Sequence, residues 1–161
     1  MYELPMIKNS VFKIVSKLVL QPFYRQSRGL TLGTRTAVFD AESRVLLVRH
    51  TYSPGWLLPG GGVERGETIY QSAIREIQEE AAILAEEEPI LRGFCMNDAQ
   101  FPGDHIAILV VRKFRQLPWK PSLEISHAQF FGIDQLPPET TGGTRRRVDE
   151  LMANRIVSAV W

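Results

Sequence analysis

Hydrophobic positions divide the chain into segments of two different periods. From Leu32 to Asp40 apolar and polar residues alternate in a stretch rich in Thr and Val, which predicts a β-strand. Asp40-Ala41-Glu42-Ser43 has the chemistry of a turn, and Arg44 to His50, with Val45, Leu46, Leu47 and Val48, is expected as the partner strand of the first. Leu57-Leu58 leads into a glycine-rich loop, Pro59-Gly60-Gly61-Gly62, and there the period changes. Ile69, Ala73, Ile77 and Ala81 recur at four-residue steps, the spacing of one buried helix face. Thr68 and Gln71 stand in the capping-box relation, so this helix is predicted to begin just after Thr68.

Ile90 to Asn97 and His105 to Phe114 read as two further strands, joined by the Pro102-Gly103 loop of Asp98 to Asp104. The unbroken apolar run Ile106 to Val111 suits a central place in a sheet. A proline-punctuated loop at Leu117 to Ser122 leads to a strand at His127 to Gly132, and Ile133 to Pro137 is a turn of helix closed by proline. Gly142-Gly143 precedes a last helix, expected to start at an N-cap Thr144 and to bury Val148, Leu151, Met152, Ile156 and Ala159. Upstream, Val11, Ile14, Val15, Leu18 and Val19 have helical periodicity with Lys8, Lys13 and Lys17 interleaved. Residues 1–30 are therefore expected as an amphipathic helical extension and residues 31–161 as the main domain. Strands, helix, strands, helix is the order of an α/β or α+β layered domain.

Composition narrows the function classes. A formal charge of +1 argues against bulk electrostatic binding of a nucleic-acid polymer, but not against one nucleotide in a local site. Cys95 is alone, so no internal disulfide forms and a reducing, cytoplasmic setting is expected. No apolar run reaches bilayer length, and Glu3 with the scattered lysines does not fit a secretory signal. The N-terminal segment either lies on an anionic membrane surface or packs on its own domain or on a second subunit in a homodimer.

One charge pattern is locally unfavourable. Glu76, Glu79 and Glu80 stand at i, i+3 and i+4, so their carboxylates converge on one side of the helix and repel by a few tenths of a kcal/mol per pair. They also sit in its last turns, where the helix dipole disfavours anions. Two readings stand: a solvated acidic face, or a divalent cation site, since clustered carboxylate oxygens are what Mg2+ or Mn2+ prefers. Arg75 can hold Glu79 at i+4. Backbone of the Gly60-Gly61-Gly62 kind suits close approach to a phosphate. Arg49 and His50, at a strand end near this loop, are candidates to touch that phosphate, against the plainer expectation of surface positions. Trp56 is expected to pack, Glu86 to Glu88 to be solvated, and Arg145, Arg146 and Arg147 to be solvated unless an anion such as Glu139 or a substrate phosphate relieves them.

The loop and helix together resemble the Nudix box: glycine, five residues, Glu, seven residues, then Arg-Glu-apolar-x-Glu-Glu-x-Gly-apolar. Gly61, Glu67, Arg75-Glu76-Ile77, Glu79-Glu80 and Ile83 take eight of its nine specified positions. Ala82 stands where the family has glycine. Alanine in a left-handed cap costs roughly 1–2 kcal/mol, so the helix is expected to run on through Leu84 or Ala85.

The resemblance implies the Nudix fold, a mixed sheet between helices in an α/β/α sandwich, and hydrolysis of a pyrophosphate linkage in a nucleoside diphosphate joined to a moiety X. It implies Mg2+ or Mn2+ on Glu76, Glu79, Glu80 and the Gly60 carbonyl. Glu79 or Glu80 would be the base, with Glu124 the candidate outside the box because Phe130 follows it at the family's spacing. Glu67 would steady the loop–helix junction or a second metal ion, and Arg75 would orient a glutamate. ADP-ribose-selective members often have a proline about fifteen residues past the box, where Asp98 stands here. Dinucleoside polyphosphate hydrolases often have a tyrosine further on, and no tyrosine follows Tyr70.

Overall fold

The computed structural model of the chain describes residues 29–161. The amphipathic segment expected around Val11 to Val19 lies outside them. Strands β1 (Thr31–Val38) and β2 (Val45–His50) come first, then helix α1 (Ile69–Ala81) and strands β3 (Ile83–Ala85), β4 (Ile90–Met96), β5 (Asp104–Val111), β6 (Phe114–Gln116) and β7 (Ile125–Phe131). A 3-10 turn at Ile133–Gln135 and helix α2 (Gly142–Met152) complete the order.

The apolar run of β5 is central, as expected. It lies between β1, its parallel neighbour, and β4, its antiparallel one. β2 pairs antiparallel with β7, and β3 with β6. The pairing expected between β1 and β2 does not form beyond one bridge, Phe39 with Val45. The reason is that β1's second edge is already used. Thr36 N–H donates to the Pro59 carbonyl at 2.9 Å, Thr34 N–H to the Gly61 carbonyl at 2.8 Å, and Val63 N–H to the Leu32 carbonyl at 2.9 Å. The glycine loop is thus laid along β1 as an extra edge.

Side-chain alternation then gives β1, β2 and β5 two buried faces. Val38, Leu46, Val48 and Val111 pack with Ile77 and Ala81 of α1, while Ala107 and Leu109 pack with Ala73. The residues in between, Ala37, Phe39, Val45, Leu47, Ile106, Ile108 and Val110, pack with Val148 and Leu151 of α2. Helix, sheet, helix is the resulting layering. Trp56 belongs to the α2-side core, its ring centroid 4.9 Å from that of Phe131. No helix among the described residues is long and apolar enough to cross a membrane.

Both helix ends correct the sequence reading. α1 stops at Ala81, and Ala82 adopts the left-handed conformation (φ 54°, ψ 36°) with its N–H on the Gln78 carbonyl at 3.0 Å. Turning there sends Ile83 into the α1-side core, fully buried, and pairs β3 with β6. Burying an isoleucine stabilises by about 1.5–3 kcal/mol, which outweighs the strain on one alanine of about 1–2 kcal/mol. α2 starts three residues early because Thr141 is its N-cap, and the expected cap Thr144 is buried and bonded to the Thr141 hydroxyl at 2.9 Å. The helix ends at Met152, so Ile156 (92% exposed) and Ala159 fall outside the stripe, and Val157 is buried in the same core.

Ala82→Gly is expected to raise stability by about 0.5–1 kcal/mol, the released strain less the added chain entropy. Urea unfolding measures it, and an unchanged or lower midpoint would show that Ala82 carries no strain.

Candidate active site

The glycine loop fits only because two side chains are missing. Gly60 (φ 145°) is so close to β1 that a Cβ would overlap the Thr34 carbonyl. A Cβ on Gly61 would come within 2.5 Å of a Glu76 carboxylate oxygen. Ser72 of α1, buried, bonds the Thr34 hydroxyl at 3.2 Å and sits under the Gly62 carbonyl at 3.4 Å. The predicted capping box is present: Gln71 N–H donates to Thr68 Oγ1 at 3.2 Å and Thr68 N–H to Gln71 Oε1 at 2.9 Å. α1 therefore starts at a defined point and presents its glutamates at a defined height along the loop.

Arg75 ties loop to helix. Its guanidinium grips Glu67 through two bonds at 2.9 and 3.0 Å and donates to the Gly62 carbonyl at 3.0 Å. It also bonds Glu76 at 2.5 Å and Glu79 at 3.3 Å. The Arg75 bond holds the Glu67 carboxyl below the usual range, and Glu67 and Glu76 raise the guanidinium's own proton affinity.

The three box glutamates do not converge as the helical spacing led us to expect. Glu80 turns inward, with 8% of its side chain exposed, and accepts the Gly60 N–H at 2.9 Å. Glu76 lies against Gly61, while Glu79 stays at the outer end of Arg75, 62% exposed. Among the described residues no three carboxylate, His or Cys groups meet closely enough to form a ready-made metal cluster. Burial pushes the Glu80 carboxyl up to about 7, with Glu76 and Glu124 adding to it against the Gly60 N–H and Arg35. Glu76 is raised too, chiefly by burial. Two inward carboxylates are thus under-compensated, and the third, Glu79, is exposed one turn away on Arg75. Such a set of hard oxygen donors fits Mg2+ or Mn2+.

Two further groups face these anions. His50 was expected at the surface, yet its side chain is 8% exposed, with Nε2 3.6 Å from Glu80 Oε1 and Nδ1 buried with no hydrogen-bond partner. Burial, and after it the charge of Arg35, lowers the His50 pKa, so the ring is neutral at neutral pH. Arg35, on β1, donates to the Gly60 carbonyl, the group implied as a metal ligand. Desolvation lowers its pKa, while Glu80 and Glu76 hold it charged. Sequence reasoning missed Arg35, although a signal existed: it shares the strand face of Ala37 and Phe39, where a charge is out of place.

A cavity of about 610 Å³ opens beside the loop, lined by Gly60, Gly61, Gly62, Arg35, His50 and residues beyond them. Arg49 is not among its lining residues, and the Arg49 carbonyl accepts the Ser126 hydroxyl at 2.9 Å. Glu124 is exposed just before β7, with its carbonyl accepting Thr51 N–H at 2.8 Å and its charge reaching both His50 and Glu80. Of the three arginines expected in solvent, only Arg146 is exposed. Arg145 bonds the carbonyls of Pro137 and Thr140, and Arg147 is fully buried on Glu150 at 2.9 Å. Glu87, in the acidic loop, accepts the N–H groups of Arg112 and Lys113 at 3.3 and 3.2 Å.

The family model described as NUDIX domain matches residues 29–151, and the chain belongs to that family. An ADP-ribose pyrophosphatase of Methanocaldococcus jannaschii is 27% identical over 103 residues, 62% of this chain and 61% of that protein. A Bacillus subtilis relative is 31% identical over 107 residues, 65% of this chain and 51% of its own. The chain thus spans between half and two thirds of the length of these curated relatives. The crystal structure of a MutT NUDIX hydrolase from Burkholderia pseudomallei superposes with a TM-score of 0.66 at 24% identity, over 75% of this chain and 97% of that one. That likeness carries the fold, which is the Nudix fold.

A carboxyl that holds its proton more tightly folded than unfolded adds stability below its unfolded pKa and loses it as pH rises through the folded one. For Glu80 this window runs from the ordinary carboxyl range to about 7. With chelator present, the protein is expected to lose roughly 1–3 kcal/mol of stability from pH ~5 to ~8. Glu80→Gln should flatten the loss in urea unfolding across that range, and a mutant with the parent slope would contradict the assignment.

Proposed function

We propose that this chain is a metal-dependent hydrolase that cleaves the pyrophosphate linkage of a nucleoside diphosphate joined to a second group. The observation that carries the reading is the buried, under-compensated Glu80 carboxylate held at 2.9 Å on the N–H of Gly60; Gly60 lines the cavity, and Glu80 lies behind it rather than in the lining. The relatives named ADP-ribose pyrophosphatase support the reaction class. The sugar or nucleotide beyond the bond is left open.

Glu76, Glu79 and Glu80 are the carboxylates that would hold the divalent ion. When bound, Mg2+ or Mn2+ neutralises the diphosphate and makes a water molecule acidic enough to attack phosphorus. The protein's own part is placement. Gly60 to Gly62 let the diphosphate approach the backbone, and Arg35 is the single cationic side chain lining the cavity, suited to a phosphate oxygen. The neutral His50 ring lines the same cavity and lies beside Glu80, with Nε2 3.6 Å from Oε1. Glu79 or Glu80, whichever the ion leaves free, is the candidate proton acceptor within the box. Glu124 is the second candidate, its charge already felt at Glu80. Arg75 and Glu67 keep loop and helix in register and do not touch substrate. A reducing, cytoplasmic setting agrees with the lone Cys95, which is buried.

The test is a panel of nucleoside diphosphate sugars, ADP-ribose, dinucleotides and nucleoside triphosphates with Mg2+ or Mn2+, scored by nucleotide and phosphate release. Cleavage of at least one class is expected, and Glu79→Gln should lower kcat by about 10²-fold or more with unfolding unchanged, since Glu79 is 62% exposed. Full activity in that variant would remove Glu79 from the ion site, and no cleavage across the panel would end the hydrolase reading.

A further inference from the structure

The cavity has a second end, away from the glutamates. Its wall there includes Trp161, with Phe101, largely exposed, and the polar residues Asn97, Gln100 and Asp104. Trp161 is held by an unusual arrangement. Residues 159–161 run alongside the end of β4, with Met96 N–H on the Ala159 carbonyl at 2.8 Å and Trp161 N–H on the Met96 carbonyl at 2.9 Å. Arg147, buried in α2, donates to the carbonyls of Ser158 and Val160 at 3.1 and 3.3 Å. Its partner Glu150 accepts the Ser158 N–H at 3.3 Å. The guanidinium lies 5.9 Å from the indole centroid, and Gly143 of α2 leaves the space the ring fills, since a Cβ there would overlap it. A buried ion pair is a costly feature, and here it and a first-turn glycine together fix one aromatic ring at the cavity wall.

We propose that this end of the cavity is a nucleobase subsite, with Trp161 as the surface on which the base stacks. The inference rests on the pyrophosphatase reading, which puts the diphosphate at Gly60 to Gly62 and so directs the remainder of the ligand into the same cavity. Its charge fits such a ligand. Among the lining residues Arg35 is the one cation and Asp104 the one carboxylate. That serves a planar heterocycle attached to one diphosphate and is too little positive charge for a ring bearing many phosphates. The amide of Asn97, bonded to Asp104 at 2.9 Å, and that of Gln100 supply donors and acceptors for the edge of a base.

The test compares ligands that differ only in the base and cannot be hydrolysed at a pyrophosphate: AMP, GMP, CMP and UMP against ribose 5-phosphate. The full chain with Mg2+ is titrated by calorimetry and by tryptophan emission. At least one nucleotide is expected to bind about tenfold or more tighter than ribose 5-phosphate and to quench emission. Trp161→Ala should bring that nucleotide down to the affinity of ribose 5-phosphate without changing the latter, whereas a packing role alone would shift both together. Trp161→Phe, which keeps a stacking ring, should retain most of the affinity and lose the quenching. The proposal is overturned if no nucleotide exceeds ribose 5-phosphate, if Trp161→Ala weakens both ligands equally or neither, or, should that variant fail to fold, if quenching persists in Trp161→Phe. Nucleotide binding without cleavage of any panel substrate would keep this subsite while ending the hydrolase reading; cleavage with no nucleotide bound more tightly than ribose 5-phosphate would do the reverse.

Discussion

The backbone of residues 59–63 lies against β1 on one side and α1 on the other, so that a Cβ at Gly60 would overlap β1 backbone and one at Gly61 would displace the Glu76 carboxylate. Everything at the site follows from that closeness. The Gly60 N–H meets Glu80, its carbonyl meets Arg35, and Gly61 meets the Glu76 carboxylate. A loop that stood a side chain's width further away would leave those carboxylates to water. They would then titrate as ordinary acids, and no tension would remain for a ligand to relieve. The layered core makes the closeness possible, because β1 is covered by α1 residues on one face and α2 residues on the other and cannot shift to make space.

The molecule buries charge in two ways, and the contrast is informative. Arg147 has Glu150 and two backbone carbonyls around it, so its charge is met within the protein even though its Nε, 2.9 Å from a Glu150 oxygen, makes no aligned hydrogen bond. Around Glu80 the account is incomplete: one N–H bond, a histidine 3.6 Å away, an orphaned imidazole nitrogen, and a carboxyl that titrates near neutrality. Buried polar groups are normally satisfied, and exceptions mark places where a ligand completes the set. The first arrangement is scaffold and the second is site. The scaffold ends at Trp161, in the wall of the cavity that the site borders.

The N-terminal cap of α1, its buried stripe and the central β5 were legible in the chain because each depends on neighbours within a few residues. The Arg75–Glu67 grip was not, since local helical spacing pointed Arg75 at Glu79 and only the folded loop brings Glu67 to it. Nor was the pairing of β1. Its partners are β5, some seventy positions away (Thr31 opposite Asp104), and a glycine loop with no strand signature. His50 was misread for a related reason: a strand end near a turn is usually exposed, and only the arrival of α1 and Glu80 covers it. The early start of α2 and the burial of Arg147 were hidden because glycines at its first turn read as loop, and because arginine in a helix is normally solvated.

By itself the sequence determined the elements, the capping, the family and the types of donor at the site, since these are set by local periodicity and by residues at fixed spacing. Only the tertiary structure decided that Glu80 and Glu76 turn inward while Glu79 turns out, that Arg35 and His50 join them, and that Trp161 closes the far wall of the cavity. Those outcomes depend on desolvation and on contacts between distant segments, and neither exists until the layers have packed.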